Sequence, residues 1–319
     1  MKLKEIEKIL SQLEKEKKFS TKGLSAVEIQ QLLCFLGMSD GNAYEELEMN
    51  YPLLDVHEDI SESRDKVQIH SHLFYEILYC KSGKIQYLIE TERYRLQAGD
   101  VVIIPPGISH RPLMADKMEE PYSRIVMWIS REYMHSLVEN FPELQMENPE
   151  KNLIRTANTR WEYIERYFRG AQLEFERQEP GWQSAASGYC LLLCSSLTRA
   201  MSSVPSMQSE KRGLLDEMMV YVETHLSNPL SVEQAAQHFH VSVSTVNQLF
   251  RKTLNTSFYR FLIQKRLILS KTCIQNGMSM EETARVVGFG DYSNFYRAFC
   301  KEYGLSPMLY KKHFCKDTL

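Results

Sequence analysis

Apolar residues keep helical rhythm toward both ends of this chain and strand rhythm in its middle. At the amino end Leu3, Ile6, Leu10 and Leu13 form one stripe. Ser25 and Glu28 box the start of a second helix, and Asp40-Gly41-Asn42 precedes a third. Between about residues 55 and 130 the pattern changes to short runs and turns. Ile85, Tyr87 and Ile89 alternate with other side chains, and Gly99-Asp100 supplies a turn, which predicts antiparallel strands. Helical spacing returns in Trp161, Ile164, Tyr167 and Phe168, and again in Tyr189, Leu192, Leu193 and Leu197, on either side of a Pro180-Gly181 break. Met201–Ser209 reads as a linker. The expected organisation is a helical segment over 1–50, a strand-rich region over 51–148, helices over 149–205 and an all-helical unit over 211–319.

The carboxyl-terminal unit contains one layout twice. In the first copy Ser231 caps a helix carrying Val232, Ala235, Ala236 and Phe239. His240-Val241 then forms a turn, and Ser242 caps the next helix. That helix turns Val246, Leu249 and Phe250 inward, while Ser244, Gln248 and Arg251 share the opposite face with Asn247 beside them. In the second copy Ser279 and Glu282 form a capping box ahead of Ala284, Val286 and Val287. Gly288-Phe289-Gly290 makes the turn. The helix from about Tyr292 points Phe295 and Phe299 inward and leaves Asn294, Arg297 and Lys301 outside. A tight turn between a support helix and a helix with one polar face is how a helix-turn-helix enters the major groove. Asn, Gln and Arg are the side chains suited to paired contacts with base edges. Direct base contact is expected from Ser244, Asn247, Gln248 and Arg251, and from Tyr292, Ser293, Asn294 and Arg297. The third amino-terminal helix carries Glu45, Glu46 and Glu48, which would face phosphate, so it is assigned to packing or dimer contact instead.

Charge agrees with this division. The chain holds 38 Lys and Arg against 41 Asp and Glu, yet residues 211–319 hold 14 against 9. A basic carboxyl end on an acidic protein fits a polyanion-binding module joined to something that is not one. No run of apolar residues approaches the roughly 18 that a membrane helix needs. The charged start at Met1–Lys18 lacks the apolar core of a secretory signal, so a cytoplasmic location is expected. Seven scattered cysteines without a Cys-x-x-Cys pair are expected to be reduced thiols, Cys190 and Cys194 sharing one helix face.

Residues 213–313 resemble the DNA-binding domain of the AraC/XylS family of transcription regulators. The stretch from Ala284 to Pro307, with Gly304-Leu-Ser-Pro307 and then Tyr310, is similar to that family's second helix-turn-helix and its closing motif almost residue for residue. The resemblance implies two recognition helices in successive major grooves of double-stranded DNA, held by the helix around Phe258–Gln275. It also implies RNA polymerase as a partner, and activation rather than repression.

The strand-rich region contains His70-Ser-His72-Leu-Phe-Tyr-Glu76 followed by Gly83. It also contains Gly99-Asp-Val-Val-Ile-Ile-Pro105-Pro-Gly107-Ile-Ser-His110. In an extended strand residues 70, 72, 74 and 76 face one way, so His70, His72 and Glu76 are expected to converge, with His110 joining from another strand. These spacings resemble the two motifs of the cupin barrel, except that Met114 stands where the second motif has Asn. AraC relatives that sense sugars and other small molecules carry such a barrel ahead of their DNA-binding domain. Three uses of the cluster stay open: direct contact with an effector, a divalent metal on His70, His72, Glu76 and His110, or structural hydrogen bonding. Phe74 and Trp128 are either stacking partners for a sugar ring or core aromatics.

The expected architecture is therefore α+β: an amino-terminal cupin-like β-barrel flanked by helices, then an all-α domain with two helix-turn-helix units. The expected function is sequence-specific transcription regulation by a protein that is not an enzyme and requires no cofactor. The barrel is expected to bind a small-molecule effector, a sugar by resemblance. The helix pair between barrel and linker is expected to form a homodimer, which doubles the contacts to repeated half-sites. The alternatives are a metal-dependent cupin enzyme fused to a DNA-binding module, and a regulator that binds no small molecule.

Overall fold

The computed structural model describes residues 49–61, 68–114, 120–144, 146, 152–203 and 213–314. The helical reading of residues 1–50 lies outside them, apart from Met49 and Asn50. The chain divides into two compact units. The larger comprises Met49–Glu223 with Ala235–Ser257, and the smaller contains Thr224–Gln234 and Phe258–Leu319.

The larger unit opens with a five-stranded antiparallel sheet in the order β1-β7-β2-β5-β8 and a three-stranded sheet in the order β4-β3-β6. The strands are β1 (Leu54–Ser61), β2 (Tyr75–Ser82), β3 (Ile85–Ile89), β4 (Glu92–Leu96), β5 (Asp100–Ile104), β6 (His110–Leu113), β7 (Tyr122–Ile129) and β8 (Leu153–Arg155). Strands β2, β5 and β7 are buried along almost their whole length, the mark of a sheet covered on both faces. Alternation assigns the two coverings. Tyr75, Ile77, Tyr79, Val101, Ile103, Ile125, Met127 and Ile129 belong to a core shared with helices. Glu76, Leu78, Cys80, Tyr122, Arg124 and Trp128 take the opposite face, toward the three-stranded sheet.

The helical covering is a pair, α2 (Glu165–Arg177) and α3 (Trp182–Ser203), preceded by the short helix α1 (Arg131–Asn140) and a single 3₁₀ turn. Phe168 and Ala171 of α2, with Ala186, Cys190, Leu193, Cys194, Leu197 and Ala200 of α3, supply its buried stripe. Cys80, Cys190 and Cys194 are buried free thiols. Gly170 lets the helices touch: a Cβ there would meet the Tyr189 ring at 2.5 Å. Two boundaries differ from the sequence reading. The sheet continues past residue 148, because β8 pairs with β5 and Arg155 clasps the fully buried Asp100 at 2.9 and 3.0 Å. Helix α3 runs through Met201 to Ser203, taking in the start of the expected linker.

The helices that follow are α4 (Leu214–Thr224), α5 (Val232–His238), α6 (Val243–Leu254), α7 (Phe258–Gln275), α8 (Met280–Val286), α9 (Tyr292–Tyr303) and α10 (Pro307–Phe314). In the smaller unit α7 is the central element. Leu267 and Ile274 of α7 share a core with Met280, Ala284, Phe295, Phe299, Tyr303 and Tyr310. The buried Lys271 is kept among them with its ammonium 5.2 Å from the Tyr303 ring centroid and 5.6 Å from that of Tyr310. Arg266 donates to the carbonyls of Leu226 and Asn228 at 2.9 and 2.6 Å, fixing the chain just before α5.

Candidate functional site

Both helix-turn-helix units form as their capping residues dictate. Ser231 Oγ accepts the Gln234 amide at 3.3 Å, and Gln234 Oε1 returns the bond to the Ser231 amide at 2.8 Å, a reciprocal box. His240 occupies the left-handed region at φ 55°. Ser242 Oγ then accepts the Thr245 amide at 3.0 Å to start α6. Val246, Phe250 and Leu254 are buried and Leu249 is half-buried. Ser244, Gln248 and Arg251 are exposed and Asn247 is partly so. These four, with Lys252, line one open depression.

In the second unit Ser279 Oγ accepts the Glu282 amide at 3.2 Å. Gly288 and Gly290 sit at φ 85° and 78°. Gly288 is obligatory: a Cβ there would come within 2.2 Å of the Leu226 carbonyl oxygen. Asp291, which the sequence reading left out, caps α9 through the Asn294 amide at 2.7 Å. It also accepts from the Asn294 side chain at 2.5 Å, and Arg297 donates to Asn294 Oδ1 at 2.7 Å. Asp291, Asn294 and Arg297 thus form one exposed chain along the first turns of α9, signalled by Asp three residues before Asn. Ser293 is exposed as well, whereas Tyr292 is half-buried against Phe295 and Tyr296.

Within the barrel, residues 70–74 are not a continuous strand. His70 makes a single antiparallel bridge to His110, and β2 begins only at Tyr75. The side chains converge nevertheless. One ligating atom from each of His72, Glu76 and His110 lies within 4.8 Å of the others, and all three residues are buried. His70 stands beside this trio, its ring 4.4 Å from that of His110 and 6.4 Å from that of His72.

The backbone sets the imidazole orientations. Nδ1 of His70 faces the Gln68 carbonyl at 2.9 Å, that of His72 the Phe74 carbonyl at 2.9 Å, and that of His110 the Ile108 carbonyl at 3.0 Å. A carbonyl oxygen only accepts, so each Nδ1 carries the hydrogen, and a ring in its neutral form presents a lone pair at Nε2. Among the described residues, Nε2 of His72 and of His110 is buried without a hydrogen-bond partner. Each faces the Glu76 carboxylate, at 3.4 Å from Oε2 and 3.8 Å from Oε1 respectively. Burial, then repulsion from His70, lowers the His110 pKa well below the usual imidazole value. Burial opposes charge on Glu76 too, but an imidazole that takes up a proton at Nε2, His72 first and then His110 and His70, holds its carboxyl far below the usual range. With the rings neutral, acceptors face acceptors in a dry site, which calls for a proton, hydrogen donors or a cation between them. The donor set therefore fits a divalent metal on His72, Glu76 and His110, with carbonyl-anchored imidazoles as its support. It fits a ligand rich in hydroxyl donors equally.

Phe74 and Trp128 are occupied with the cluster itself. Phe74 stacks on the His72 ring at 4.1 Å with 5° between planes and also touches Trp128 at 4.7 Å. The Trp128 indole donates to Glu76 Oε2 at 3.0 Å. Further polar groups on this face went unrecognised in the sequence. His57 packs edge-on to Trp128 at 4.7 Å. Arg124 pairs with Asp59 at 2.9 Å above the Tyr122 ring. The Tyr122 hydroxyl is buried without a hydrogen-bond partner among the described residues. Alternation through Tyr122, Arg124, Val126 and Trp128 was the available signal.

Two family models match the chain. One, described as an AraC-like ligand-binding domain, matches residues 56–145. The other, a helix-turn-helix domain, matches residues 235–313. An uncharacterized HTH-type transcriptional regulator of Escherichia coli, YdiP, is 22% identical over 75% of this chain and 78% of its own length. The Msm operon regulatory protein of Streptococcus mutans is 23% identical over 75% of this chain and 84% of its own. Among solved structures, unsaturated fatty acid bound ToxT from Vibrio cholerae covers 86% of this chain and 99% of its own at 15% identity, with a TM-score of 0.36. With the ligand-binding model matched first and the helix-turn-helix model after it, this chain belongs to the AraC/XylS family of transcription regulators.

Proposed function

We propose that this regulator is a cytoplasmic homodimer that activates transcription when a sugar binds in its barrel. The observation that carries the reading is the buried cluster of His72, Glu76 and His110, with His70 beside it, inside a domain of the AraC-like ligand-binding type. A polyol brings hydroxyl donors to the two unpartnered Nε2 atoms and the carboxylate, and the mostly apolar barrel around them supplies the dry setting that makes such bonds selective. Base contact falls to Ser244, Asn247, Gln248 and Arg251 of α6 and to Ser293, Asn294 and Arg297 of α9, with Tyr292 at the margin. RNA polymerase is the partner through which DNA binding becomes activation. The exposed Leu173 of α2 and Leu192 of α3 supply apolar surface for the dimer.

The same cluster favours a second reading, in which His72, Glu76 and His110 hold a divalent metal. The metal would supply Lewis-acid coordination for an effector oxygen, and the protein residues would position it. Their carbonyl-held imidazoles are the observation behind this reading.

One experiment addresses both. The purified protein is melted against a panel of monosaccharides and, separately, against Zn²⁺, Mn²⁺ and Ni²⁺, with His110→Ala as control. A sugar that raises Tm in the parent and not in the variant supports the first reading. A shift with metal alone supports the second. No shift with any probe in either protein defeats both readings. Sequencing sheared host DNA captured by the protein at two salt concentrations then tests operator binding, since phosphate contacts weaken steeply with salt.

A further inference from the structure

The three-stranded sheet has an outer face that the effector cluster does not use. Arg93 of β4, Leu88 of β3 and Arg111 of β6 stand opposite one another across it. Arg93 grips Asp216 of α4 with two bonds of 2.7 Å, Nε to Oδ1 and Nη2 to Oδ2. The two side chains are only 17% and 5% exposed. Asp216 Oδ2 also accepts the Gly213 amide at 2.8 Å, so the same carboxylate organises the start of α4. Arg111 donates from Nη1 to the carbonyl of Leu254 at 3.0 Å. Leu254 is the last residue of the reading helix α6, where carbonyls lack an intrahelical donor and a cation suits the helix dipole. Helix α4 in turn stacks Tyr221 on His238 of α5, ring centroids 4.3 Å apart. One face of the sensor thus holds the reading helix of the first helix-turn-helix directly and its support helix through α4.

We propose that this face is a latch that fixes the first helix-turn-helix against the barrel, and that β6 carries occupancy of the effector cluster to it. The link is a single peptide. His110 faces the cluster, and its neighbour Arg111 emerges on the opposite side of the same strand. A ligand that draws His110 Nε2 moves the strand on which Arg111 holds the end of α6. The Arg93–Asp216 pair makes the change discrete, because separating a desolvated pair strands both charges until water reaches them. The route through His110 rests on the barrel being the sensor; the latch does not.

Hydrogen exchange on the full-length protein, without ligand or DNA, tests both parts. For the latch the variants are Arg93→Gln, Asp216→Asn, which keeps an acceptor for the Gly213 amide, their double variant, and Arg111→Ala. Arg93→Gln is expected to speed exchange across Leu214–Thr224 at least ten-fold, and Arg111→Ala to do so in the last turn of α6. Strand β2 and helix α7 stay at parental rates. In the Asp216→Asn background, Arg93→Gln adds less than two-fold. Parental exchange in α4 of Arg93→Gln, or full additivity in the double variant, overturns the latch. For the route, His110→Gln is expected to speed exchange in the last turn of α6 at least three-fold in the parent and not at all on top of Arg111→Ala. An equal effect in both backgrounds overturns the route and leaves the latch standing. Exchange in β2 reports whether the barrel itself stays folded.

Discussion

Trp128 and Glu76 are direct cross-strand partners of β7 and β2, and the indole of the first donates to the carboxylate of the second at 3.0 Å. The bond gives a buried anion one permanent partner and leaves its remaining lone pairs turned toward His72 and His110. Trp128→Phe keeps much of the ring and removes the donor. It is expected to destabilise the protein by about 1–3 kcal/mol, the range for a buried charged acceptor left short of a bond. It should also weaken whatever probe shifts Tm in the parent protein. Chemical denaturation and the same melting panel check the two effects; unchanged stability would mean that water replaces the indole.

The cluster also predicts a pH dependence. His110 has its pKa lowered in the folded protein by burial and by His70, while in the unfolded chain it titrates near the ordinary value of about 6.5. Below that pH the unfolded chain takes up a proton that the folded one refuses, so stability is complete above it and is lost as pH falls. Denaturation midpoints of chelator-treated protein should drop from pH 8 to pH 5. In His110→Gln the slope near pH 6 should flatten.

Asp291 ties the stability of α9 to the position of Asn294, a proposed base contact. Asp291→Ala removes the cap of α9 at a cost of about 0.5–2 kcal/mol, and it frees the Asn294 side chain from one of its two partners. A drop in operator affinity beyond what the stability loss accounts for would show that Asn294 is aimed by its neighbours. Competition binding with captured operator fragments, at a temperature well below the melt, provides the measurement.

Arg297→Ala should weaken operator binding by about 1–3 kcal/mol and relax the sequence preference at one position. Randomised-site selection with parent and variant reads this directly. A loss that is equal on every sequence, with a salt slope reduced by about 1, would make Arg297 a phosphate contact instead.

Gly288→Ala is expected to disable the second helix-turn-helix and spare the first. The added Cβ would press on the Leu226 carbonyl that Arg266 already holds, at a backbone angle that L side chains avoid. The cost should exceed about 2 kcal/mol, overpacking and strain together. Exchange measurements should show α8 and α9 losing protection while α6 keeps it.

How much of this was legible in the sequence depends on whether a signal was local. Caps, turn glycines and apolar stripes are short-range, so Ser242, Ser279, Gly288 and the inward Phe250, Phe295 and Phe299 could be read directly. The convergence of His72, Glu76 and His110 was reached through an inexact premise, since residues 70–74 are irregular chain and not strand. Tertiary pairing through the His70–His110 bridge delivers the side chains that strand alternation was meant to deliver. Strand β8 was missed because three residues, Leu153–Arg155, carry no period of their own; their partner β5 and the Asp100–Arg155 clasp define them. Asp216 and Arg93, separated by 123 positions, meet only in the fold.

Because α2 and α3 close over the apolar face of the large sheet, the sensor does not end where its last long strand does. A fragment stopping at residue 148 would lose β8 and strip the cover from Tyr75, Ile77, Tyr79, Ile103, Met127 and Ile129. Such a fragment would present a wide greasy surface and aggregate. One carried through Ser203 retains that cover, and it is the shortest piece of the sensor worth expressing alone.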